Sequence, residues 1–86
     1  MASTRVLNGE EWESLLLRLV DETSGGIKMT SLVVLVIEYC HLHNVDVALE
    51  TLPELLEGVI RRSSTMKILE YTWRDLNRQK LFVYTP

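Results

Sequence analysis

Cysteine is nearly absent from this 86-residue chain: Cys40 stands alone, so no intramolecular disulfide can form. Long apolar runs are missing as well. The longest, Leu32 to Ile37, covers six residues before Glu38 interrupts it, far below the roughly 20 that a membrane-spanning helix needs. The opening residues Met1 to Val6 lack the apolar core of a secretory signal, which adds to the expectation of a reducing setting, cytoplasmic or, in a eukaryotic cell, nuclear. There is no glycine-rich phosphate loop, because Gly25-Gly26 lacks the flanking pattern such loops require. Internal repeats and low-complexity segments are also missing. What remains, 47% hydrophobic and 24% charged, is the composition of a folded globular chain. At this length the expectation is one domain over residues 1–86, with 1–8 as a flexible N-terminus.

Charge is unevenly spread. Residues 1–57 hold Arg5, Arg18 and Lys28 against ten acids, a net −7, whereas residues 58–86 hold Arg61, Arg62, Lys67, Arg74, Arg78 and Lys80 against Glu70 and Asp75, a net +4. The whole chain carries −3. An asymmetry of this kind points to an anionic partner for the basic third.

Asn8 followed by Glu11 reads as a capping box, after which Trp12, Leu15, Leu16, Leu19 and Val20 recur on one helical face, predicting a helix from Gly9 to about Glu22. Thr23-Ser24-Gly25-Gly26 ends it, the glycine pair supplying positive φ, and Ile27-Lys28-Met29 forms a short extended piece. Thr30 or Ser31 caps a second helix reaching His43, with Leu32, Leu35, Val36, Tyr39 and Leu42 on its apolar face. Residues 32–37 are also rich in β-branched side chains, so a buried strand stays open as the alternative; length and cap favour the helix. Asn44 to Glu50 is a connection. Thr51 and Glu54 then read as a second capping box, Pro53 sits in the first turn, and Leu52, Leu55, Leu56, Val59 and Ile60 form the face of a third helix ending near Arg62, before the Ser63-Ser64-Thr65 break. From Lys67 the period falls to two. Lys67, Leu69, Tyr71 and Trp73 alternate with Ile68, Glu70 and Thr72, a second strand follows over residues 81–85, and the polar stretch 74–79 makes them a β-hairpin with a charged tip.

Cys40-His41-Leu42-His43 is the one cluster of metal-ligand type. A structural zinc site needs about four convergent ligands, and neighbouring helical positions point apart, so a buried cysteine beside a polar helix end is the expectation, with no metal and no cofactor. Cys40 with His43 lacks a third orienting group for nucleophilic catalysis. Glu10, Glu11 and Glu13 sit at a helix start, where the dipole favours them without any acid–base role. The expectation is therefore a non-enzyme. Tyr71, Trp73, Phe82 and Tyr84, four of the six aromatics, fall in the hairpin; they are expected to pack in the core, and any left exposed marks an interface, with pairing of the last strand as a route to a homodimer.

This order resembles the winged-helix domain, a helix-turn-helix variant whose hairpin is the wing. The residues that carry the likeness are Gly25 to Thr30 for the first strand and the approach to helix two, Thr51 to Leu56 for helix three, and Ile68 to Tyr71 with Arg78 to Tyr84 for the wing. Small phage-encoded members are similar too. The resemblance covers about residues 9–85 and implies an α+β fold, a three-helix winged helix-turn-helix with a C-terminal β-hairpin wing. It also implies a DNA-binding regulator, with Arg61, Arg62, Lys67, Arg74, Arg78 and Lys80 contacting the phosphates of double-stranded DNA. Two features depart from the family: the connection between helices two and three is longer than a tight turn, and helix three carries Glu54 and Glu57 where phosphate would lie. Glu57 and Arg61 also make an ordinary i,i+4 pair. The alternative is a protein-interaction module that docks on a larger complex.

Overall fold

A computed structural model describes residues 4–24, 26–72 and 79–86, excluding the side chains of 71, 72, 79 and 80. The element order is α1 (Gly9–Glu22), β1 (Gly26–Lys28), α2 (Met29–Leu42), α3 (Leu52–Arg62), β2 (Lys67–Thr72) and β3 (Gln79–Tyr84). The sheet is antiparallel throughout with strand order β1-β3-β2, so the last strand lies in the middle. The fold is a small α+β arrangement of three helices and a three-stranded sheet. No helix among the described residues is long and apolar enough to cross a membrane.

Helix α1 begins as its sequence dictates. The Asn8 side chain accepts from the Glu11 amide at 2.8 Å, and the Glu11 carboxylate accepts from the Asn8 amide at 3.2 Å, which satisfies two N–H groups left free at the helix start. Trp12, Leu15, Leu16 and Val20 form its buried stripe. At the C-terminal end Ser24 takes the left-handed conformation, with φ 62°; Gly26 already belongs to β1, and the expected role of Gly25 lies outside the described residues. The Thr23 hydroxyl donates to the Val20 carbonyl at 2.7 Å and closes the turn.

Residues 32–37 are helical, which settles the choice between helix and strand. Helix α2 starts directly after β1, however, with Lys28 at its N-cap and no side-chain cap from Thr30 or Ser31. Starting there lets Met29 join Leu32, Val36 and Cys40 in the buried stripe. Burying a methionine is worth about 1.5–3 kcal/mol, more than the ~1 kcal/mol of a typical capping bond. The same register leaves Leu42 75% exposed, against the expectation that it shares the apolar face. The helix ends at Leu42 with His43 as its C-cap; Asn44 beyond it is left-handed at φ 54°, and the Val45 amide donates back to the Cys40 carbonyl at 2.9 Å in a Schellman-type closure.

The connection into α3 carries structure of its own. The Arg5 amide donates to the Asn44 carbonyl at 2.8 Å, the Asp46 amide donates to the Arg5 carbonyl at 2.6 Å, and Leu7 is buried, so the segment from Arg5 onward is tied to this connection. Thr51 does not form the expected capping box. Its hydroxyl donates instead to the Ala48 carbonyl at 3.0 Å, tightening the turn before the helix. Pro53 sits at the start of α3, where a missing N–H removes no helical bond, and Leu52, Leu56, Val59 and Ile60 are buried. Beyond α3 the buried Ser63 hydroxyl accepts from the amides of Thr65 and Met66 at 3.1 and 3.3 Å and turns the chain into β2.

The sheet reaches the helices through one row of side chains. Ile27, Val83 and Ile68 lie side by side across β1, β3 and β2; Val83 is fully buried, and all three join the core with Leu16, Leu32, Leu56 and Met66. Replacing Asn8 by alanine removes the side-chain half of the capping box and leaves the Glu11 amide without its acceptor. The expected loss is about 1 kcal/mol, read as a lower urea midpoint at unchanged slope; an unchanged midpoint contradicts the role assigned to the cap.

Candidate interaction surface

Of the cations expected to form one phosphate-binding surface, Arg61 and Lys67 stand on opposite faces of the sheet. Arg61, in the last turn of α3, is held by two carboxylates: its Nη2 lies 2.8 Å from Glu57 Oε1 and 2.6 Å from Glu70 Oε1, and its Nε donates to Glu57 at 3.0 Å. These bonds hold the guanidinium more firmly in its charged form and strap α3 to β2. The pairs are exposed and add little stability, but they neutralise the charge locally. Arg62 is exposed and lies back along α3 beside Gly58. Lys67 is exposed on β2, in the rank opposite to Ile68 and Glu70, so it faces away from Arg61. Lys80 pairs with Tyr71 in the backbone register. Arg74 and Arg78 lie outside the described residues, as do Trp73 and the hairpin tip.

Alternation then determines what the outer face of the sheet presents. Because the Ile27–Val83–Ile68 row points inward, the rows on either side point outward: Gly26, Tyr84 and Lys67 on one side, Lys28, Phe82 and Leu69 on the other. Leu69 is 53% exposed, Phe82 and Tyr84 are half-buried, and both lysines are exposed. The expectation that these aromatics belong to the core is corrected for Phe82 and Tyr84: the helices cover only the opposite face. Their rings are nearly parallel, 23° apart, with centroids 6.5 Å apart, near the far end of the usual ~4.5–7 Å range for aromatic pairs. They therefore lie offset beside each other more than one over the other. Gly26 makes room for this, since a Cβ there would stand 2.5 Å from Phe82 Cζ; the ring lies down across β1.

Lys28 and Leu69 were not legible as surface residues of interest. The period-two reading of β2 separates Lys67 and Leu69 from Ile68 and Glu70, but only pairing with β1 and β3 decides which rank faces the core. A second exposed apolar area lies on α2, where Val34 and Ile37 are exposed, next to a groove lined by Thr4, Cys40, His41, Val47 and Leu49. The last strand pairs with β2 along its length and with β1 over Phe82 to Tyr84, so both of its edges are occupied at those three residues.

Cys40 is buried, His43 stacks on Tyr39 with ring centroids 4.2 Å apart, and the Arg18 guanidinium lies 5.8 Å from the same tyrosine ring. Among the described residues no group of histidine, cysteine and acidic side chains could hold a metal ion. Burial pushes the Cys40 thiol up, which keeps it protonated and unreactive near neutral pH. Ellman's reagent should accordingly label the native protein far more slowly than the protein in denaturant, and equally fast labelling would contradict the packing of α2. Comparison of the chain with family models, curated proteins and solved structures finds no match.

Proposed function

We propose that this chain is a protein-interaction domain with winged-helix connectivity that docks on a larger protein complex and has no catalytic role. The connectivity is supported by the order helix, strand, helix, helix, strand, strand, together with a sheet in which the last strand lies between the other two. The observation that carries the interaction reading is the outer sheet face, where Leu69, Phe82 and Tyr84 form an apolar surface that no part of the described chain covers. Solitary exposed aliphatics are ordinary, whereas neighbouring ones with aromatics mark a surface that gains by association.

Duplex DNA binding is the second reading. It is favoured by Arg62 and Lys67, which make no ion pair with a described residue, and by the sequence positions of Arg74, Arg78 and Lys80. It ranks second because Glu54 and Glu57 occupy the helix that would approach phosphate, and Arg61 is already engaged by Glu57 and Glu70. Fluorescence anisotropy against labelled random duplex at low and moderate salt separates the two. The interaction reading predicts no salt-sensitive binding beyond the millimolar range. Micromolar binding that falls steeply with salt and disappears in Arg74→Glu/Arg78→Glu would reverse the order.

A further inference from the structure

The outer face of the sheet has a charge pattern that narrows the chemistry of what covers it. Lys28 lies at the end of β1 and Lys67 at the start of β2, on the two edge strands, with Phe82 and Tyr84 on the central strand between them. None of the described outward positions carries a carboxylate, although the chain as a whole is acidic. Glu70, the acid of β2, belongs to the inward rank and is bonded to Arg61. The exposed apolar side of α2 differs in this respect, since Glu38 and His41 stand among its aliphatics and fix no sign of charge for a partner.

From this arrangement we infer that the outer sheet face is a docking site for an acidic peptide segment of another protein, one carrying aromatic or leucine-like side chains between its carboxylates. This rests on the protein-interaction reading and names the partner's chemistry. The apolar side chains pack on Leu69 and on the offset rings of Phe82 and Tyr84, which expose π surface because they do not cover each other. The carboxylates meet Lys28 and Lys67 at the two margins. Leu69 favours a peptide over single-stranded nucleic acid, because it sets an aliphatic side chain directly beside the rings, at a place where a base-stacking platform uses an aromatic one. Gly26 is part of the site, because only a residue without Cβ lets the Phe82 ring lie flat beside Tyr84.

The experiment is a selection of random phage-displayed peptides against the immobilised full chain, followed by anisotropy titration of the enriched sequences as fluorescent peptides. The inference predicts enrichment of net-negative peptides with aromatic or leucine residues. It also predicts that Lys28→Glu/Lys67→Glu and, separately, Leu69→Ser each weaken binding about tenfold, the lysine effect shrinking at high salt. All three residues are exposed, and the circular dichroism of the variants should match the parent. Enriched peptides that are neutral or basic, or whose affinity these variants leave unchanged, overturn the inference while the interaction reading stands. Failure to enrich any peptide overturns both. A dimer in sedimentation that Leu69→Ser dissociates, or tighter binding of oligothymidylate than of any selected peptide, overturns the acidic-peptide occupant.

Discussion

Insertion of the last strand between the other two is the constraint on which the rest of this structure depends. β3 pairs with β1 and β2 along its two edges, and Val83, one residue before its end, is fully buried between Ile27 and Ile68. Without it, a three-residue strand near the first turn of α2 and a six-residue strand after α3 would have no common partner, since isolated strands of this size are not stable in water. The helices would also lose the inward row against which they pack. These pairings join residues 26–28 to residues 82–84, so the sheet closes only after nearly the whole chain is available and at the loop-closure cost of long-range contacts.

The same insertion sorts the surface. Once Val83 points inward, alternation sends Phe82 and Tyr84 outward on the central strand, where the nearest outward neighbours are Gly26, Lys28, Lys67 and Leu69. Arg61 and Glu70 remain on the helix side of β2, bound to each other, while Lys67 stands on the outer face. The outer face accordingly combines apolar and cationic side chains. The insertion also occupies both edges of β3 over residues 82–84.

Much of the fold was legible because its signals are local. The Asn8–Glu11 capping box and the helical spacing of Trp12, Leu16 and Val20 located α1, and the spacing of Leu52, Leu56, Val59 and Ile60 located α3, because cap geometry and amphipathic period are properties of a few neighbouring residues. The hairpin partners were legible from the change in period. What failed was decided by tertiary competition. Thr51 has the sequence of a cap, but its hydroxyl serves the preceding turn; Thr30 and Ser31 lose to the burial of Met29; and Leu42 is excluded by the helix register that Met29, Leu32, Val36 and Cys40 impose. The candidate surface was the least legible part. Lys67 was singled out, yet Lys28, Leu69 and the outward aspect of Phe82 and Tyr84 follow from cross-strand register, which no local pattern encodes.

Residue-resolved amide hydrogen exchange, followed by NMR on the isolated protein, tests the central role of β3 most directly. The account predicts that the amides of β3 paired with β1 and β2 exchange only through global unfolding, with the same free energy as core amides of α1 and α3 around Leu16 and Leu56. Rapid exchange throughout β3 while those helices stay protected would mean that the sheet is an appendage to a helical core, and it would contradict both the fold's dependence on the last strand and the surface derived from it.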